Sequence, residues 1–108
     1  MPSLNAYSPD FPSREQLNSL PGLTLVEFGR NDCQHCQALA PLLFQLLGQY
    51  PQLRHLRLED GKGRLLGRRL GVSLWPTLIF LRDGQEVARE VRPGLAQLES
   101  VFKTLFSA

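Results

Sequence analysis

Two cysteines three positions apart, Cys33 and Cys36, stand where an apolar run gives way to a helical pattern. The run is Leu23-Thr24-Leu25-Val26-Glu27-Phe28, and the pattern is Gln37-Ala38-Leu39-Ala40-Pro41-Leu42-Leu43-Phe44-Gln45-Leu46-Leu47. A strand-to-helix junction places the first thiol at a helix N-terminus, where unpaired N–H groups and the helix dipole favour negative charge. The thiolate is the nucleophile, so Cys33 is the member made reactive. Cys36 follows one helical turn later, within reach of a disulfide to Cys33. A pair that can attack, link and release is equipped for thiol–disulfide exchange.

Two blander readings compete. A zinc site needs two ligands beyond the pair. The chain has no other cysteine, and its histidines are His35, inside the motif, and His55, on an expected strand. No metal is expected on that ground. A purely structural disulfide would close so short a loop that it removes little unfolded-state entropy. In a reducing compartment, two cysteines point to catalysis or metal binding rather than to a staple.

The 108 residues suggest one domain over 1–108, and 43% hydrophobic residues suffice for a core. A net charge of +2 does not argue for nucleic acid. No apolar stretch is long enough to span a bilayer, and Met1 to Ala6 has neither a basic start nor an apolar segment. A soluble, cytoplasmic, monomeric protein without membrane contact is therefore expected.

Along the chain, residues 1–12 carry three prolines and read as an irregular lead-in, with Leu4 to Tyr7 as a short edge strand. Ser13-Arg14-Glu15-Gln16 has capping-box spacing and predicts a helix to Leu20, ended by Pro21-Gly22. Leu23 to Phe28 predicts a buried central strand. Glu27 interrupts it: either a paired charge or a buried acid whose raised pKa lets it exchange protons near neutral pH. Asp32 is placed to cap the helix after Cys33, Pro41 to kink it, and Gly48 to Tyr50 to end it. Leu53 to Glu59 alternates, with Leu56 and Leu58 inward and His55, Arg57 and Glu59 on the other side. With a helix between them, these two strands should be parallel. The basic segment after Gly63 reads as a helix with a solvated arginine face. A third strand ends at Leu81, and Asp83-Gly84 turns it into a hairpin with Glu86 to Val91. Leu95, Leu98, Val101, Phe102, Leu105 and Phe106 recur at helical spacing and predict an amphipathic terminal helix whose phenylalanines are core. The expected fold class is α/β: a central mixed sheet with helices on both faces.

With these residues in view, the chain resembles the thioredoxin superfamily over about residues 13–106. Leu25-Val26-Glu27-Phe28, the Cys33-x-His35-Cys36 motif and Ala38-Leu39-Ala40-Pro41 look most like the active-site segment of protein disulfide isomerase domains. Gly71-Val72, Trp75-Pro76-Thr77-Leu78 and Asp83-Gly84 resemble the family's second signature. The resemblance implies Cys33 as the attacking thiol, Cys36 as the resolving thiol and Glu27 as the buried acid that handles the second thiol's proton. It implies a cis Pro76 facing the disulfide, and Trp75 as the residue whose backbone pairs with an extended substrate. His55 falls near the family's buried lysine. The chain departs from the pattern at Asp32, where a tryptophan is usual, at Arg92, where a glycine is usual, and at Trp75, where a smaller residue is usual.

The function expected from both lines is thiol–disulfide exchange with protein disulfides. Cys33, Cys36, Glu27 and His35 would carry the chemistry, and Trp75, Pro76 and Arg92 would contact substrate. No cofactor is implied. Electrons pass to or from a reducing or oxidising redox partner. The alternative from another class is a non-enzymatic binding module whose disulfide is a redox switch.

Overall fold

In the computed structural model, which describes residues 4–107, the capping box at Ser13 opens α1 (Arg14–Asn18). Gln16 N–H donates to Ser13 Oγ at 3.0 Å, and Ser13 N–H donates to Gln16 Oε1 at 2.7 Å. Then come β1 (Leu23–Gly29), α2 (Gln34–Leu47), β2 (Arg54–Glu59), α3 (Leu65–Arg69), β3 (Thr77–Arg82), β4 (Gln85–Val91) and α4 (Leu95–Phe106). The strands form one mixed sheet in the order β2-β1-β3-β4. β1 and β2 run parallel, joined by α2, while β3 is antiparallel to both β1 and β4.

Side chains alternate across a strand, so β1 supplies both cores. Leu25 packs with Leu39 and Leu43 of α2 and Leu98 and Phe102 of α4; Val26 and Phe28 pack with Leu17 of α1 and Leu66 of α3. Helices therefore cover both faces. The β3–β4 turn is carried by Asp83 (φ 52°) and Gly84 (φ 82°), the left-handed pair a two-residue hairpin demands.

Three expectations are corrected. The N-terminal edge strand is a single parallel bridge at Ser8, which exchanges hydrogen bonds with Arg57 and Glu59 of β2. Pairing stops there because the flanking residues turn their backbones to other partners, Tyr7 N–H donating to Asn31 Oδ1 at 2.9 Å. The helix after the cysteines is not capped by Asp32. Cys33 is the N-cap, and Asp32 instead pairs with Arg30 at 3.1 Å. His55 and Arg57 do lie opposite Leu56 and Leu58, but their face is not a solvated one. The register sets Glu27 beside Arg57, so both β2 side chains turn toward a buried acid. Met1, Pro2 and Ser3 of the expected lead-in lie outside the described residues.

Candidate active site

α2 starts where β1 ends, and the cysteines take up its first turn. Cys33, half-buried, has extended backbone, and its Sγ accepts the Cys36 N–H at 3.2 Å. A sulfur in the capping position thus satisfies one of the free backbone donors at the start of the helix. Cys36 is buried, 1% exposed, and both thiols are free. Burial pushes the Cys36 thiol up to about 11. The two cysteines are thus unequal in access.

The Trp75–Pro76 peptide is cis, and the Trp75 carbonyl oxygen lies 4.0 Å from Cys33 Sγ. That carbonyl is occupied: Arg92 Nε donates to it at 2.7 Å. Arg92, expected to contact substrate, is already engaged within the chain. Its guanidinium is tied to the backbone beside the thiol, from a residue held at φ 49°. Trp75 is half-buried. Its Nε1–H donates to Asp60 Oδ2 at 2.8 Å, and the Arg30 guanidinium lies 5.9 Å from the ring centroid. His35 is exposed on the first turn of α2. With Ala38, Leu39, Leu42, Pro76, Arg92 and Pro93 it lines a groove of about 150 Å³ beside the cysteines.

Glu27 is fully buried, and four hydrogen bonds converge on its carboxylate. Oε1 accepts from His55 Nε2 at 2.9 Å and from Arg57 Nε at 3.0 Å. Oε2 accepts from an Arg57 terminal nitrogen at 3.0 Å and from the Tyr7 hydroxyl. The expectation that burial raises the pKa of this acid is overturned. Burial does push it up, but the bonds from His55, Arg57 and Tyr7 and the charge of Arg57 outweigh that and hold it below the ordinary carboxylate range. At neutral pH the acid rests as a carboxylate, paired with a guanidinium that is itself 9% exposed.

The structure brings Cys33, Cys36, Trp75, Pro76, Arg92 and His35 to one surface, with Glu27 beneath it. Sequence reasoning passed over Tyr7, Arg57, Asp60 and Arg30. For Arg57 a signal exists: a carboxylate in a central strand needs a cation, and the parallel neighbour is the nearest source. Tyr7 carries none, since it sits in an irregular segment. Among the described residues, no group of three or more His, Cys, Asp or Glu side chains is placed to hold a metal ion. No helix there is long and apolar enough to cross a membrane.

Comparison with known proteins agrees with this geometry. The family model described as Thioredoxin matches residues 10–105. A thioredoxin of Chlamydia muridarum is 37% identical over 84 residues, 78% of this chain and 80% of the relative. A thioredoxin of Chlamydia trachomatis is 33% identical over the same shares. Among solved structures, reduced thioredoxin 2 from Pseudomonas aeruginosa superimposes with a TM-score of 0.85 at 54% identity, covering 94% of each chain.

Proposed function

This chain belongs to the thioredoxin family and is a thiol–disulfide oxidoreductase, and from that premise we propose that it exchanges its Cys33–Cys36 dithiol with disulfides of other proteins. The Cys33 thiolate attacks one sulfur of the substrate disulfide, and the other substrate sulfur leaves with the electron pair. Cys36 then attacks Cys33, forming the intramolecular disulfide and releasing the second substrate sulfur as a thiol. The dithiol has lost two electrons and the substrate has gained them. A reducing partner, protein or small thiol, restores the pair; an oxidising partner runs the cycle backwards. A reducing compartment such as the cytoplasm would keep the dithiol ready.

The observation that carries this reading is the inequality of the thiols: Cys33 accessible at the end of α2 and accepting a backbone N–H, Cys36 buried behind it. Substrate would lie along the groove, next to the backbone of Trp75 and Pro76, in the manner of strand addition. The apolar floor takes a side chain, while His35, when charged, and Arg92 favour acidic neighbours by steering that salt weakens.

The test is to mix reduced Cys36→Ser and Cys33→Ser proteins with insulin and with a cell extract. Cys36→Ser should accumulate mixed disulfides that dithiothreitol releases, and Cys33→Ser should not. The unsubstituted protein should accelerate insulin reduction by dithiothreitol over many turnovers. Equal trapping by both variants, or no turnover, would overturn the proposal.

A further inference from the structure

Glu27 is the buried acid of the site, yet neither of its oxygens is hydrogen-bonded to Cys36. Three of its four bonds go to His55 and Arg57 of β2. The fourth goes to Tyr7. We propose that Tyr7 is the group through which the buried carboxylate acts on Cys36, its hydroxyl bridging Glu27 Oε2 and the Cys36 sulfur during resolution. The inference rests on the exchange chemistry proposed above and adds a residue to it.

The Tyr7 side chain is 4% exposed and held from three sides. Its N–H donates to Asn31 Oδ1 at 2.9 Å, the next residue bridges to β2, and the Arg57 guanidinium stacks 3.9 Å from its ring centroid. The approach to Cys36 runs over Gly29. A Cβ there would stand 2.6 Å from Tyr7 Oη and 2.8 Å from Cys36 Sγ, so both atoms face one gap that only the missing side chain leaves open. Tyr7 has a single hydroxyl proton, and it points to Glu27. Toward Cys36 the oxygen therefore offers lone pairs, to which the thiol would donate during resolution. The chain reads S–H of Cys36 to Oη of Tyr7 to Oε2 of Glu27, with Glu27 kept ionised by His55 and Arg57.

The resolving step balances along this chain. The Cys36 sulfur bonds to the Cys33 sulfur, and the bond from Cys33 to the substrate sulfur breaks. The electron pair leaves on the substrate sulfur. The Cys36 proton moves to Tyr7 as the Tyr7 proton moves to Glu27. Glu27, favoured as a carboxylate, releases its proton to solvent, and solvent protonates the leaving thiolate. A thiol that burial keeps protonated at neutral pH needs such a route.

The test uses the full reduced chain and 5,5′-dithiobis(2-nitrobenzoate) in a stopped-flow instrument. The first release of thionitrobenzoate reports attack by Cys33, and the second reports resolution by Cys36. Tyr7→Phe keeps the ring and removes the hydroxyl. It should leave the first phase within about twofold and slow the second about tenfold or more. In the unsubstituted protein, the second phase should depend on deuterium fraction along a bowed curve, as two protons in flight require. This measurement stands even if Tyr7→Phe does not fold. An unchanged second phase in Tyr7→Phe, equal slowing of both phases, or a linear deuterium dependence would each overturn the bridge. Absence of the first phase in the unsubstituted protein would instead overturn the exchange chemistry beneath it.

Discussion

Arg92 holds a left-handed backbone conformation, φ 49°, that glycine adopts freely and a side chain adopts at a cost of about 1 kcal/mol. What the side chain obtains is one short hydrogen bond to the Trp75 carbonyl beside Cys33. An extended substrate pairing at Trp75 would have to share that acceptor with Arg92 or displace its bond. Arg92→Gly should therefore raise the rate of insulin reduction several-fold. It should leave the reaction with a small aromatic disulfide nearly unchanged, because a small disulfide needs no strand pairing. Steady-state rates on the two substrates check this; equal effects on both would mean that Arg92 does not control access. Trp75 is a separate case. Its indole is committed to Asp60, so its contribution is to fix the loop before Pro76 rather than to contact substrate through its ring.

At the level of elements, the site depends on junctions. The β3–β4 turn is clasped to the turn before β1: Gly22 N–H donates to Asp83 Oδ1 at 2.7 Å, and Asp83 N–H donates to the Gly22 carbonyl at 2.9 Å. Gly84, at φ 82°, lies so close to α1 that an added Cβ would be driven into the Asn18 carbonyl. Gly84→Ala combines left-handed strain with a backbone clash and should cost about 2 kcal/mol or more. For a chain of this size that is a fall in melting temperature of about 8 °C or more, read by thermal denaturation. The hairpin lies at the far end of β3 from Thr77 and the thiols, so the rate of Cys33 attack in the folded variant should not change. A melting temperature within 2 °C of the unsubstituted protein's, on the same scale of about 4 °C per kcal/mol, would show that the turn yields without cost.

For the molecule as a whole, the buried network makes stability depend on pH in two windows. The folded-state pKa of Glu27 lies below its ordinary value of 4.5. Its contribution is complete above that value and is lost as pH falls through the folded pKa. The folded-state pKa of Cys36 is raised from 9.0 to about 11, so its contribution is complete below 9.0 and is lost as pH rises toward 11. Urea midpoints of the reduced protein should thus be level from about pH 5 to pH 9 and fall on both sides. Cys36→Ala should remove the loss that begins at pH 9 and leave only the part above about pH 10 that Tyr7 carries, its hydroxyl held above its ordinary value by burial and the charge of Glu27. Glu27→Gln should flatten the acid limb and lower the plateau, because it strands the buried Arg57 guanidinium; loss of one partner of such a pair costs about 3–5 kcal/mol. A more stable Glu27→Gln protein would mean that burying the carboxylate costs more than its four bonds return.

Read alone, the sequence determines the order of elements, the strand-to-helix placement of Cys33 and Cys36, the hairpin at Asp83-Gly84 and the inward face of α4 at Leu98 and Phe102, though not at Leu95, which is exposed. These follow from signals within a few residues of one another: hydrophobic periodicity, turn chemistry and the spacing of two thiols. It also places Glu27 in a central strand, but there local reasoning stops. Whether a buried acid is protonated or ionised depends on what faces it, and here that is Tyr7, His55 and Arg57, which lie 20 to 30 positions away along the chain. Only the parallel register of β1 with β2, and the single bridge that brings Tyr7 over Gly29, decides that three donors meet one carboxylate. The same holds for Arg92, whose partner Trp75 is 17 positions earlier. Electrostatics and hydrogen bonding act through space at a few ångströms, and proximity between distant segments is a property of the folded chain.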